Sequence, residues 1–147
     1  MEIRYIGAAT MTGKSYFLSN LDLSIYEPFE LDKSVSSKTP SKWNEDKIKA
    51  FLIGCKIRKK IPVFAHRFVG KSVRYLKTIG ELKCYYIIVP DDQYRENVKK
   101  RLTKSGRELT EEYWQKVLKD KQKKDAKFLA SYYDQKWDVK FSSISEF

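Results

Sequence analysis

The chain has 147 residues, of which 41% are hydrophobic and 14% aromatic, and these values suit one folded domain and exclude a disordered chain. Its net charge of +11 favours polyanionic partners such as nucleotides, nucleic acid or an anionic membrane surface. One histidine and two cysteines are too few for a usual zinc site.

The chain begins with an apolar segment that leads into a phosphate-binding motif. We predict a strand from Glu2 to Gly7 and a helix from Lys14 to Ser19. The motif between them is a phosphate-binding loop (P-loop, or Walker A) opened by alanine instead of glycine, and its residues are Ala8, Ala9, Thr10, Met11, Thr12, Gly13, Lys14 and Ser15. Such a loop aims backbone N–H groups and the positive end of a helix at one point, while the Lys14 ammonium adds charge and the Ser15 hydroxyl can hold Mg²⁺. A nucleoside triphosphate, ATP, is the expected ligand of this segment.

The same spacing occurs a second time, from Ala65 to Ser72. Its inner positions carry bulkier residues, among them Arg67 and Phe68, which would obstruct a backbone wrapped round a phosphate, whereas the first motif has smaller residues there. We therefore assign the triphosphate to Lys14. Lys71 is interpreted as a lysine at the start of a helix or as an auxiliary phosphate contact.

Strands and helices alternate through the middle of the chain, as in a parallel sheet covered by helices. The predicted elements are a second strand at about Ser24 to Leu31, ending at Asp32, a polar loop from Lys33 to Ser41, a helix from about Asn44 to Lys59, a third strand from Ile61 to Ala65 and a short helix from about Lys71 to Lys77.

The rest of the chain continues the alternation. Leu82 to Val89 is a nearly continuous apolar run, typical of a strand that is buried on both faces. Pro90, Asp91 and Asp92 stop it and cap a helix, Gly106 ends that helix, and a long last helix begins near Thr110. Its mixed-charge run from Lys119 to Lys127 is interpreted as the side that faces solvent, and a last strand is predicted from Trp137 to Phe141. Residues 1–147 are thus predicted as one three-layer α/β/α domain with a five-stranded parallel sheet.

The cysteines and the lack of long apolar segments bear on the compartment. Cys55 and Cys84 show no metal-ligand spacing, so we expect buried, free thiols in a reducing environment. The sequence contains no signal peptide and no apolar stretch near the length that spans a bilayer. A cytoplasmic protein without a membrane partner is predicted.

A second motif follows the fourth predicted strand, in the segment Arg101-Leu-Thr-Lys104-Ser-Gly-Arg107-Glu-Leu-Thr-Glu-Glu112. Together with the P-loop and the layout of elements, it resembles the small-molecule P-loop kinases, namely the nucleoside monophosphate kinases, with the polynucleotide and shikimate kinases as relatives. Those proteins follow their fourth strand with a helix ending in Arg-Leu and a lid containing Gly-Arg. The resemblance implies a short lid at about residues 103–110. It covers most of the chain in layout, but only the P-loop and this segment match at residue level.

The resemblance also implies roles for single residues. Phosphoryl transfer needs positive charge around the moving group, which Arg107 and Arg101 would supply from the lid, although both could be solvated arginines at a helix end. Asp32 would accept the proton of an acceptor hydroxyl or hold Mg²⁺ through water, or else cap a turn. Arg67 would bind an acceptor phosphate. The relatives have a metal-linked aspartate at the end of the third strand, and this chain has none there. Asp91, after the fourth predicted strand, resembles that acid in its sequence context, but we interpret it as a helix cap.

The function implied is an ATP-dependent kinase that uses Mg²⁺ and transfers the γ-phosphoryl group to a nucleoside or deoxynucleoside monophosphate. One alternative acceptor is the 5′-hydroxyl end of a polynucleotide, which suits the net charge of +11. Another alternative is a nucleotide-binding or nucleic-acid-binding module without turnover. A GTPase is not expected because the guanine-reading pattern Asn-Lys-x-Asp is absent.

Overall fold

The computed structural model describes residues 1–7, 12–31, 45–66, 71–130 and 132–147, with the backbone alone for His66, Lys71 and Ser72. The strands are β1 Glu2–Gly7, β2 Tyr26–Glu30, β3 Ile61–His66, β4 Glu81–Tyr86, β5 Tyr133–Asp134 and β6 Val139–Ser143. The helices are α1 Lys14–Ser19, α2 Glu45–Arg58, α3 Lys71–Ile79, α4 Asp91–Lys104 and α5 Glu111–Leu129, and a short 3₁₀ turn, Ile144–Glu146, follows β6.

The strands of the described residues form one mostly parallel sheet in the order β2-β3-β1-β4-β6-β5. All neighbouring pairs are parallel except β5 with β6, which is antiparallel. The α/β class and the parallel sheet are therefore confirmed. The predicted number of five strands is wrong, because the two-residue strand β5 adds a short antiparallel edge that is too brief to show a period in sequence.

The predicted fourth and last strands need correction at their ends. β4 ends at Tyr86 instead of Val89, because its neighbour β1 ends at Gly7, which pairs with Tyr86. Ile87 still donates its N–H to the Gly7 carbonyl at 3.3 Å, and the ladder goes no further. The last strand starts at Val139, because Asp138 with its φ of 52° turns the chain before it. The polar loop predicted from Lys33 to Ser41 lies outside the described residues.

Two apolar clusters cover the two faces of the sheet. Successive side chains of a strand point to opposite faces, so Ile3 and Tyr5 pack in one cluster and Ile6 in the other. The first cluster includes residues of α2, α3 and α5; the second includes Leu18 of α1 and, packed against it, Phe147 beyond the 3₁₀ turn. The sheet is thus covered on both sides, which explains why its strands read as apolar runs.

Helices α4 and α5 form a hairpin that has a small core of its own. Tyr94, Val98 and Leu102 of α4 pack against Trp114 of α5. The partly buried residues packed against this cluster are Val89, Leu109, Tyr113, Val117 and Leu118. None of the residues of this cluster belongs to a strand, so the first part of the hairpin packs on itself rather than on the sheet.

The two cysteines are buried and free, as predicted. Burial raises the pKa of Cys55 to about 11 and that of Cys84 to about 12. Both thiols are therefore neutral packing groups near pH 7. Within the described ranges, no helix combines the length and the apolar character needed to cross a membrane.

The turn before β4 generates a stability prediction. A Cβ added at Gly80 would lie 2.4 Å from the carbonyl oxygen of Met1, and that same oxygen accepts the first ladder bond from Glu81 N at 2.9 Å. Because the obstacle is backbone, Gly80→Ala should lower the free energy of unfolding by about 1–3 kcal/mol, measured by urea denaturation. Gly54→Ala is the matched control, since the added Cβ there meets only the flexible Arg58 guanidinium and alanine favours the helix by about 1 kcal/mol. Equal stability of the two variants would contradict the prediction.

Candidate functional site

The end of β1 lies in the interior of the sheet. Gly7 pairs with His66 of β3 on one side and with Tyr86 of β4 on the other. From here the chain leads to α1 on one face, whereas β3 leads to α3 on the opposite face. Where neighbouring strands send their loops to opposite faces, a crevice forms at the carboxyl edge of the sheet, and ligands of open α/β sheets bind there.

The second half of the predicted P-loop is described, and its glycine makes the turn into α1. Ala8, Ala9, Thr10 and Met11 lie outside the described residues. Thr12 is buried, Lys14 is half-buried and Ser15 is exposed. Gly13 has φ 91° and ψ 23°, a left-handed conformation that glycine adopts without strain, and its carbonyl accepts the Phe17 N–H at 2.9 Å. The Gly-Lys-Ser sequence therefore forms the beginning of α1, with Gly13 at its N-cap position; its binding of a triphosphate stays a prediction.

A carboxylate that the sequence reasoning missed stands beside this turn. Ser15 Oγ donates a hydrogen bond to Glu30 Oε1 at 3.1 Å, and Glu30 is the last residue of β2. The strand alternation could have revealed it. The ring of Phe29 packs against that of Phe51 of α2, with 4.8 Å between the ring centres, so its neighbour Glu30 points to the other face, where α1 lies. A hydroxyl next to a carboxylate is a pair of hard oxygen ligands, which suits Mg²⁺.

Two of the predicted site residues, Asp32 and Arg67, lie outside the described residues. In sequence, Asp32 comes two residues after Glu30, and Arg67 comes directly after His66. Both therefore follow strands that end at the same edge as β1. Their proposed roles stay predictions.

The two lid arginines lie at the end of α4, and both are exposed. Arg101 is in the last turn of the helix. Gly106 has φ 69°, and two bonds close the helix end: Arg107 N donates to Leu102 O at 2.8 Å and Gly106 N to Thr103 O at 3.0 Å. This is a Schellman motif. The Gly-Arg pair thus ends α4, and the part of both arginines in catalysis stays a prediction.

Asp91 belongs to an ion cluster between α4 and α5. It lies in the first turn of α4, and its carboxylate accepts Lys121 Nζ at 2.9 Å and Gln122 Nε2 at 3.1 Å. Lys121 also donates to Asp125 and lies 5.5 Å from the centre of the Tyr94 ring. The interpretation of Asp91 as a helix cap is therefore wrong: Pro90 occupies the N-cap position, no side chain caps the helix there, and Asp91 is an ion-pair partner of the last helix.

This cluster corrects the interpretation of the charged run in α5. Lys121 is 2% exposed and Asp125 7% exposed, so the run from Lys119 to Lys127 does not face solvent throughout. Burial alone would lower the pKa of Lys121, but its hydrogen bonds to the two carboxylates outweigh burial and raise it. The same contacts with Lys121 and Gln122 lower the pKa of Asp91. The charged forms of Lys121 and Asp91 are therefore both stabilised by this contact.

The comparisons with known proteins give no family for this chain. Neither protein-family models nor curated protein sequences match it.

The buried lysine generates a second prediction. Lys121→Met leaves the buried Asp125 carboxylate without its cation and should lower the free energy of unfolding by about 3 kcal/mol, followed by urea denaturation with Trp114 fluorescence. Adding Asp125→Leu to it should restore most of the loss, because no buried charge then remains. Lys123→Met, at an exposed position of the same helix, should change stability by no more than about 0.5 kcal/mol. A loss at Lys121 as small as that at Lys123 would contradict the prediction.

The pH dependence of stability follows from the same two shifts. Asp91 has its pKa lowered below 3.8, so its contribution is present above pH 3.8 and is lost as the pH falls through its folded value. Lys121 has its pKa raised above 10.5, so its contribution is present below pH 10.5 and is lost as the pH rises further. The difference in stability between wild type and Lys121→Met should therefore be constant near neutral pH and shrink at both extremes.

Proposed function

We propose that this chain is a P-loop phosphotransferase that moves the γ-phosphoryl group of ATP to a nucleoside or deoxynucleoside monophosphate in the presence of Mg²⁺. The observation that carries the proposal is the turn after β1. A central parallel strand leads through a left-handed Gly13 into Lys14, Ser15 and α1, with Glu30 hydrogen-bonded to Ser15. Backbone N–H groups at such a turn, together with one lysine, match the charge of a triphosphate.

The residues at the turn divide the work of binding. The Lys14 ammonium would contact the phosphates, and the Ser15 hydroxyl with the Glu30 carboxylate would hold Mg²⁺, whose charge neutralises the phosphate oxygens. Glu30 thereby takes the place of the acid that the third strand lacks. Asp32 would orient the acceptor, and Arg67, Arg101 and Arg107 would bind phosphates.

The choice of acceptor depends on what the site must neutralise. A monophosphate acceptor needs cations and little base, and the chain offers Arg67 next to the strand end that pairs with Gly7. A 5′-hydroxyl acceptor needs a carboxylate within hydrogen-bond reach. Glu30 accepts a hydrogen bond from the Ser15 hydroxyl, so the end of β2 offers a carboxylate to a hydroxyl group, which favours a polynucleotide 5′-hydroxyl as the second candidate. Transfer from labelled ATP to a panel of monophosphates and to a 5′-hydroxyl oligonucleotide separates the two.

Binding of ATP tests the site itself. Lys14→Ala should weaken the affinity for MgATP by about tenfold or more, because a charge-assisted contact to the phosphates is lost. Lys116→Ala is the control, since it removes one charge from an exposed position of α5. Isothermal titration calorimetry of both variants measures the effect. Unchanged affinity in Lys14→Ala would reject the assignment of the triphosphate site.

The role of Glu30 is tested by its dependence on Mg²⁺. Glu30→Gln should raise the Mg²⁺ concentration needed for half-maximal phosphoryl transfer and lower the rate by about 10- to 100-fold, as expected when a supporting carboxylate is lost. Glu27→Gln is the matched control on the same strand, because Glu27 bonds Arg58 on the other face. If both variants show the same Mg²⁺ dependence as wild type, Glu30 does not support the metal.

A further inference from the structure

A second cleft opens between β4 and β6, at the edge of the sheet opposite the P-loop. The two strands pair only from Cys84 with Phe141 to Tyr86 with Ser143. Before Cys84 they diverge, and a cavity of about 340 Å³ lies between them. Ligand pockets begin at roughly 300 Å³, so the cleft is large enough for a small molecule.

Lysines dominate the charge of this cleft. Lys77, Lys83 and Lys140 line it together with a single acid, Asp138. Cys84 and Val139 belong to the first apolar cluster, so their neighbours Lys83 and Lys140 point to the opposite face of the sheet, whereas Lys77 of α3 is paired with Asp138. The excess positive charge of the cleft is therefore that of Lys83 and Lys140. Glu2 lies next to the cleft, where its carboxylate is 3.3 Å from Lys83 Nζ and 3.2 Å from Arg4 Nε. Because the Glu2 carboxylate is shared between Lys83 and Arg4, it does not cancel the excess positive charge of the cleft.

The three lysines are held in different ways. Lys77 Nζ donates to the Asp138 carbonyl at 2.7 Å, and it lies 3.4 Å from both the Trp137 carbonyl and Asp138 Oδ2. These bonds fix the turn before β6 and therefore the width of the cleft. Lys83 is half-exposed and Lys140 exposed, so both ammonium groups can turn towards a ligand.

The backbone adds hydrogen-bonding groups to the same space. In a parallel strand, consecutive residues direct their N–H and C=O groups to alternate neighbours. The N–H groups of Glu81 and Ile87 both point to β1, so the odd-numbered residues of β4 bond in that direction. The even-numbered Leu82 therefore directs its N–H and C=O groups the other way, towards the cleft. Of these two groups the N–H can donate to an oxygen atom of a ligand, together with the ammonium groups, whereas the C=O is itself an acceptor.

We propose that this cleft binds a small, multiply charged oxyanion of the phosphate type. A concave site with an excess of one charge concentrates anions more strongly than the same lysines on open surface. The proposal does not depend on the proposed function: β1 rises by about 3.3 Å per residue, which places the cleft, beside Glu2, about 16 Å from the end of β1 at Gly7.

Pyrophosphate is a suitable probe, and backbone amide NMR shifts report where it binds. In wild type and in Lys14→Ala, the amides of Leu82, Lys83 and Lys140 should shift in a saturable way. The double variant Lys83→Gln with Lys140→Gln should bind about tenfold more weakly at these amides, since two charges are removed from the site. Lys119→Gln with Lys123→Gln removes two charges from exposed positions of α5 and should leave the affinity within about twofold of wild type.

The outcomes separate this site from the P-loop. If the amide shifts at residues 12–15 vanish in Lys14→Ala while the cleft amides still shift, the former report binding at the P-loop only and the latter report binding at the cleft. The absence of saturable shifts at the cleft amides overturns the proposal, and so does equal weakening in the two double variants, which would show attraction by net charge only. Should the loss of the Lys83–Glu2 ion pair disturb the fold, Lys140→Glu alone must still weaken binding at the cleft.

Discussion

The structure depends on the double pairing of β1. Every residue from Glu2 to Gly7 is paired with β4, and Arg4 to Gly7 are paired with β3 as well. With Ile3, Tyr5 and Ile6 fully buried, this strand has no freedom to shift register, because a slip of one residue would move its apolar side chains to the wrong faces. The carboxyl end of β1 at Gly7 is thereby held in a fixed position between β3 and β4. A phosphate site at the turn after it needs this rigidity, since its donors are backbone groups.

The direction of the connections explains why the candidate site is open. The chain crosses from β1 past β3 to β2, and later from β3 past β1 to β4. Right-handed crossovers in opposite directions place the connecting helices on opposite faces. Accordingly, α1 packs with the second apolar cluster and α3 with the first. The helices that follow β1 and β3 thus lie on opposite faces, and Glu30 reaches Ser15 on the face of α1.

Much of this arrangement could be predicted from sequence, and the exceptions have physical causes. The bounds of β1 and α1 agree with the prediction, because a buried apolar run and a motif with a required glycine are strong local signals. Glu30 was missed because the acid at the site was sought at Asp32, after a strand whose end was predicted one residue too late, at Leu31 instead of Glu30. The burial of Lys121 was missed because local periodicity marks a charged run as solvent-facing, whereas only a tertiary partner, Asp91, makes a buried lysine stable.

The ion cluster also limits how the hairpin of α4 and α5 can move. Helix α4 has 14 residues and is about 21 Å long. Arg107 follows its C-terminal end, so the whole helix separates this residue from the sheet along the chain. Its position is nevertheless determined, since the hairpin has its own apolar core around Trp114 and its base is held by Lys121 to Asp91. Breaking this core or this ion pair costs several kcal/mol. The hairpin is also attached to the sheet at its other end, because Phe128 of α5 stacks on Tyr86 of β4. The position of the arginines relative to the sheet is therefore set by the core of the hairpin, by its ion pair and by this stack, with the Schellman turn at Gly106 ending α4.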